Sequence, residues 1–167
     1  MTALILVLGV LAAAVGVLYV GVIIRGTVRA SPRRPAEEFP AETTTPHGAL
    51  RLYADAISRQ DLERMVALRD FAHDAGTMLK RTHPSLAADA ELLDQTRITL
   101  EEAFRVEWRT REWPDLTDAR IFYGDALAVG PTAVFIRERV VLPGQRAEDS
   151  VVYLVRTGGH WRLVYEA

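Results

Sequence analysis

No cysteine occurs among the 167 residues of this sequence. Its absence excludes disulfides, thiolate metal ligands, lipidated cysteines and cysteine nucleophiles; it suits a reducing compartment without requiring one. Lysine is almost as scarce. Lys80 is the only one, so arginine carries the positive charge, a bias we ascribe to genome composition. Formal net charge is only −2, and this near balance offers no electrostatic footprint for nucleic acid. Also missing are a glycine-rich phosphate loop, a GxSxG elbow, a dinucleotide fingerprint and any HExxH or HxH metal motif. No cofactor and no metal are therefore expected. No internal repeat marks a solenoid.

The most consequential absence is local. From Ala3 to Ile24 no residue is charged, in the run ALILVLGVLAAAVGVLYVGVII. About 20 apolar residues at ~1.5 Å each cover the roughly 30 Å of a bilayer's hydrocarbon core, so residues 1–24 are expected to form a single transmembrane anchor. A cleaved secretory signal would need a basic start and an apolar core of about 7–15 residues. Here the run is longer, and Met1 and Thr2 before it are not basic. Arg25, Arg29, Arg33 and Arg34 follow the run, while no basic residue precedes it. The positive-inside rule then places the C-terminal domain in the cytoplasm. The same four arginines are candidates for contact with anionic headgroups at the membrane surface. Gly9 with Ala13 and Ala12 with Gly16 form small-xxx-small pairs, which would permit a homodimer.

Residues 25–45, rich in proline and arginine, read as a flexible, partly extended linker, with Phe39 an incidental apolar residue in it. Residues 46–167 are long enough for one domain with its own core. Thr45-Pro46 predicts a helix start, and Ala49, Leu50, Tyr53, Ala54 and Ile57 give that helix an apolar face to about residue 58. Ser58 with Asp61 fits a capping box for a second helix, whose apolar positions run from Leu62 to Leu79 and stop before His83-Pro84. A third helical region over 85–112 reads as one helix or two, because residues 94–99 have weak apolar period; Thr99 with Glu102 offers a cap within it. Beyond residue 117 the period becomes that of strands: 119–123, 125–129, 132–142, 150–156 and 160–166, with Gly158-Gly159 as a tight hairpin. Helices followed by a strand meander predict an α+β domain, about three helices on a curved antiparallel sheet.

Two stretches resemble a known superfamily. ALRLYADAISRQDLERMVAL (49–68) is similar to the opening helices, and VVYLVRTGGHWRLVYE (151–166) to the closing hairpin, of the NTF2-like (SnoaL-like) cone-shaped α+β proteins. The middle segments DFAHDAGTML and EEAFRVEW loosely resemble NTF2-fold immunity proteins. The fold hosts enzymes and binding modules alike, so function rests on the site. Tyr53 falls where ketosteroid-isomerase-like members keep an oxyanion-binding tyrosine, but no residue matches that family's catalytic base, and a core tyrosine is the preferred reading.

The candidate catalytic residues are Tyr53, His73 and Glu138. Asp70, His73 and Asp74 share one helical face and could make an acid–base pair, or a partial metal site with His83, although a solvated face is the simpler reading. Glu138 alternates with Ile136 and Val140 on the long strand and is the best general-base candidate if that stripe faces inward; an ion pair with a neighbouring arginine is preferred. Tyr53, Phe104, Trp108, Ile136 and Glu138 are expected to line any ligand pocket. The function expected is a single-pass, membrane-tethered, non-catalytic binding or protein-interaction module, whose partner is a protein or a small apolar ligand. The alternatives are an isomerase- or dehydratase-like enzyme using the cavity and an accessory subunit of a membrane complex.

Overall fold

In the computed structural model, which describes residues 33–165, the first helix starts where the sequence predicts. The Thr45 hydroxyl accepts the Gly48 amide at 3.2 Å, Pro46 occupies the first helical position, and α1 spans Pro46–Ser58. The expected anchor at 1–24, with Arg25 and Arg29, lies outside the described residues. Among the described residues no helix is long and apolar enough to cross a membrane.

The single second helix expected up to His83 is two helices, α2 (Leu62–Ala67) and α3 (Phe71–Thr82). Asp61, not Ser58, caps α2 by accepting the Arg64 amide at 2.9 Å, while the Ser58 hydroxyl bonds back to the Asp55 carbonyl. Between the two helices Arg69 forms an isolated parallel bridge with Leu163. The Asp70 amide donates to the Leu163 carbonyl at 2.9 Å, the Leu163 amide donates to the Leu68 carbonyl at 2.9 Å, and the Asp70 carboxylate then caps α3. The helical period runs through this break undisturbed, which is why the sequence pattern alone does not reveal it.

The third region is one helix, α4 (Ala90–Thr110), with Asp89 as its cap, accepting the Glu91 and Leu92 amides. Thr96 and Thr99 sit inside it because their hydroxyls bond back to the Leu92 and Gln95 carbonyls. Thr99 is therefore not a cap. The fold is α+β, with four helices rather than about three and a six-stranded antiparallel sheet.

The strands are β1 (Arg34–Pro35), β2 (Arg120–Tyr123), β3 (Leu127–Gly130), β4 (Ala133–Val141), β5 (Glu148–Thr157) and β6 (His160–Val164). Their order is β1-β2-β4-β5-β6, with β3 also pairing β4. β2 lies along residues 138–141 of β4 and β3 along residues 133–135; between them the Gly124 amide donates to the Arg137 carbonyl at 2.9 Å. Gly158 and Gly159 both have positive φ, as the tight β5–β6 hairpin requires. α1 packs on the sheet's inner face, where Ala49, Leu50, Tyr123, Ile136, Leu154 and Leu163 form one buried cluster. A second cluster, including Met65, Phe71, Leu100, Phe104 and Trp108, lies among the helices, and Tyr53 touches both.

Residues 33–45 do not behave as the expected tether. β1 adds to the sheet edge, pairing Arg34 with Tyr123 and Pro35 with Phe122. Phe39, expected to be incidental, is only 7% exposed and stacks on His47 with ring centroids 4.3 Å apart. Arg51 donates to the Glu37 carbonyl at 3.1 Å and to the Phe39 carbonyl, and the Trp161 amide donates to the Thr43 carbonyl at 2.7 Å. One buried aromatic ring and these backbone contacts offset the ordering entropy of a segment that its composition marks as disordered. Two of the arginines expected at the membrane surface are engaged here: Arg33 pairs with Asp149 at 2.9 Å, and the Arg34 guanidinium lies 4.4 Å from the Phe39 ring centroid.

Gly48 allows this close approach, since a Cβ there would collide with the Glu42 carbonyl and lie 2.6 Å from that of Pro40. Gly48→Ala should therefore cost about 1–3 kcal/mol and Phe39→Ala about 3–5 kcal/mol in urea denaturation of the detergent-solubilised full chain. Unchanged midpoints in both variants would contradict the structural role given to this strap.

Candidate functional site

At the α2–α3 break the chain buries a guanidinium. The Arg69 side chain is 8% exposed and that of Asp74 3%, with Nη2 donating to Oδ2 at 3.3 Å. The Tyr53 and Tyr165 phenols lie within electrostatic reach of the Arg69 guanidinium, which sits 3.9 Å from the Tyr165 ring centroid and 5.2 Å from that of Phe104, with its Nε buried and without a hydrogen-bond partner. The other Asp74 oxygen accepts the Tyr165 amide at 2.8 Å. Asp70 accepts the Thr157 hydroxyl at 2.7 Å and the His73 amide at 2.9 Å. Burial pushes the Asp74 carboxyl up, against the pull of Arg69 and the Tyr165 amide. For Arg69 burial acts downward, but the two phenols and Asp74 outweigh it and hold the group above its ordinary value. An always-charged guanidinium facing a carboxylate whose burial opposes ionisation makes a structural pair.

Asp70 and Asp74, expected on a solvated face, are thus 8% and 6% exposed. For Asp74 the correction follows from Arg69, whose buried charge needs an acceptor; Asp70 is covered where its carboxylate caps α3 and accepts the Thr157 hydroxyl of β5. Tyr53 belongs to the same network, and His73 lies within electrostatic reach of Asp74, with its Nε2 buried and unpartnered. Glu138 shares no partner with them. The five expected pocket residues do not form one set either: Phe104 packs against Phe71 and Trp108 against Trp113, at 5.6 Å and 4.9 Å between centroids, whereas Ile136 is fully buried in the sheet cluster. A cavity of 410 Å³ opens at the rim of the sheet, lined by Asp118, Arg120, Val141 and the β4–β5 turn, and none of the expected site residues lines it. Among the described residues no group of three or more His, Asp or Glu is placed to hold a metal.

A different constellation forms around Glu138. Strand alternation puts it on the inner face with Ile136, as the sequence reading required for a base. The expected ion pair is absent, however, because Arg139 points to the opposite face and grips Asp149 with contacts of 2.8 Å and 2.6 Å. Glu138 accepts only the Ser150 hydroxyl, at 3.2 Å. Solvent reaches part of the residue beside exposed Ser150, yet burial of the carboxyl pushes its pKa up, with the Ser150 hydrogen bond opposing. Directly across the ladder stands Tyr123, 1% exposed, its hydroxyl buried without a hydrogen-bond partner. Burial, then the charges of Glu138 and of Asp55 on α1, raise the phenol far above its ordinary range, with Arg51 opposing. Tyr123 and Ser150 escape a sequence reading because only their pairing with Glu138 in the folded sheet brings them together.

Two predictions follow from these arrangements. Arg69→Met, which strands Asp74, should cost about 3–5 kcal/mol, and Tyr53→Phe about 1 kcal/mol; equal small losses in chemical denaturation would contradict the buried pair. Glu138 binds its proton more tightly folded than unfolded, so its stability penalty is absent below its ordinary value of 4.5 and grows as pH rises above it. Glu138→Gln should raise Tm at pH 7 and lose that gain below pH 4.5; a lowered Tm at pH 7 would mean the carboxylate is already compensated. Comparison with protein-family models, curated proteins and solved structures returns no match.

Proposed function

We propose that this chain is a non-catalytic binding module of the NTF2-like (SnoaL-like) type, anchored by its first 24 residues in a membrane with the domain on the cytoplasmic side. One observation carries the non-catalytic part. Tyr53, the residue best placed by resemblance to stabilise an oxyanion, is held by Arg69 inside a buried ion-pair network, and Glu138, the best base, sits apart from it beside Tyr123. A donor and a base that do not face one substrate cannot act together on it.

The order of helices before strands, with α1 laid on the sheet's inner face, supports the cone-type reading. The uncharged run Ala3–Ile24 and the arginines after it support the anchor and its orientation. Binding is then assigned to the inner face at its Glu138 end, where the partly exposed Glu138 has only the Ser150 hydroxyl as a hydrogen-bond partner. An immunity-type partner protein is one form of this reading.

The test uses the full-length chain in nanodiscs, incubated with a small-molecule extract of its source cells and followed by mass spectrometry. Retention of a compound at about one per chain, recovered chemically unchanged, is the expected result. A product that accumulates with time and disappears in the Glu138→Gln variant would overturn the reading in favour of an enzyme.

A further inference from the structure

The inner face of the sheet packs against α1 and the strap, whereas the side chains of the outer face belong to neither hydrophobic cluster. Alternation along β4 turns Phe135, Arg137, Arg139 and Val141 outward, away from Ile136 and Glu138. The ladder registers set Tyr153, Val151 and Asp149 of β5, and Phe122 and Arg120 of β2, beside them on the same face. The Phe135 and Tyr153 rings lie 6.2 Å apart, and both residues stay half-buried outside the core. An aromatic and aliphatic band thus crosses the outer face.

The charge on this face is predominantly of one sign. Arg120, Arg137, Arg139 and, opposite Val155, Arg162 of β6 all lie on it, and Asp149 is the single acidic residue among these outward strand positions. Arg33 and Arg139 share Asp149, at 2.9 Å and 2.6 Å, and Arg162 donates to the Ala67 carbonyl at 3.1 Å. Arg120 and Arg137 have no carboxylate within ion-pair distance among the described residues.

The same ion pair locates the end of the chain that leads to the apolar run. Arg33 is the first described residue, and its reach to Asp149 brings it over the outer face. Only residues 25–32 separate it from Ile24, and they add Arg25 and Arg29. At ~3.3 Å per extended residue they span roughly 26 Å at most, so a bilayer holding the run lies within reach of this face.

We propose that the outer face of the sheet docks on the anionic surface of the bilayer that holds the chain's own anchor. The arginines engage headgroup phosphates, and the aromatic band meets the interfacial layer, where such rings are favoured. A second copy fits less well, because two such faces would set like charge against like. The inference rests on the anchor reading and adds to it the orientation of the domain on the membrane.

Because the chain has no cysteine, a bimane label at Val151→Cys reports on the outer face alone, and one at Val106→Cys, 55% exposed on α4, on the helical layer. Each labelled full-length chain is placed, one per disc, in nanodiscs carrying headgroup-nitroxide lipid, made of phosphatidylcholine alone or of an equal mixture with phosphatidylserine. Quenching at position 151 is expected to be at least about threefold stronger in the anionic discs than in the neutral ones, with little at position 106 in either. Arg120→Glu/Arg137→Glu should bring it down to the neutral-disc level, while Arg109→Glu on exposed α4 leaves it unchanged. The dependence on lipid charge is read without substituting any arginine, so a misfolded variant does not decide the outcome.

Equal quenching at position 151 in both kinds of disc, or none in either, would overturn this inference and leave the anchor standing; the second result is also what an acidic protein or nucleic acid as the true occupant would give. Shielding of the label only in discs that hold two chains would overturn it in favour of a second copy. The anchor reading fails separately, if the full chain stays in solution when the discs are isolated.

Discussion

The buried contact between Arg69 and Asp74 is the constraint on which the rest of the structure depends. A guanidinium removed from water must find acceptors, and a carboxylate beside it must find donors. Arg69 obtains Asp74 and Tyr53; Asp74 obtains Arg69 and the Tyr165 amide. These partners come from α1, from the α2–α3 break, from α3 and from the residue that follows β6. Satisfying one charge therefore fixes how the helices meet the end of the sheet. The parallel bridge between Arg69 and Leu163 is the backbone expression of the same requirement, because the chain has to leave the helical path for Arg69 to turn inward.

The strap of residues 33–45 performs the corresponding task at the opposite edge. Its backbone extends the sheet by one short strand, covers what would otherwise be the open edge of β2, and brings Phe39 over His47 and towards Tyr123. In doing so it holds the Arg51 guanidinium on the Glu37 and Phe39 carbonyls and the Arg34 guanidinium over the Phe39 ring. If the first 24 residues span a bilayer, as proposed, only residues 25–32 separate the bilayer from the strap. At about 3.3 Å per extended residue that is roughly 26 Å at most, so the domain would stay close to the membrane surface.

Much of this was legible in the sequence where local chemistry decides. Thr45-Pro46 fixed the start of α1, the change from helical to alternating period marked the start of the sheet, and Gly158-Gly159 marked its last hairpin. Alternation also placed Glu138 on the inner face. What could not be read depends on contacts distant in the chain. The α2–α3 break is imposed by Leu163, more than 90 residues away; Asp74 looks like surface charge until Arg69 is seen buried against it, and Asp70 until the Thr157 hydroxyl is seen on its carboxylate. Phe39 looks incidental until His47 is seen beneath it. The Glu138 ion pair failed as an expectation because Arg139, its immediate neighbour, must point to the other face of the strand and meets Asp149 there.

The central claim is that the buried Arg69–Asp74 pair organises one end of the fold while Glu138, away from it on the sheet, is a buried carboxyl whose one hydrogen-bond partner among the described residues is the Ser150 hydroxyl. It is tested most directly by carbon-13 NMR titration of the glutamate side chains in the ligand-free full chain, with Glu138→Gln used to assign its signal. The account predicts that the Glu138 carboxyl titrates distinctly above the ordinary glutamate range. A Glu138 that titrates at or below that range would show that its carboxylate is already solvated or compensated, and would contradict the account.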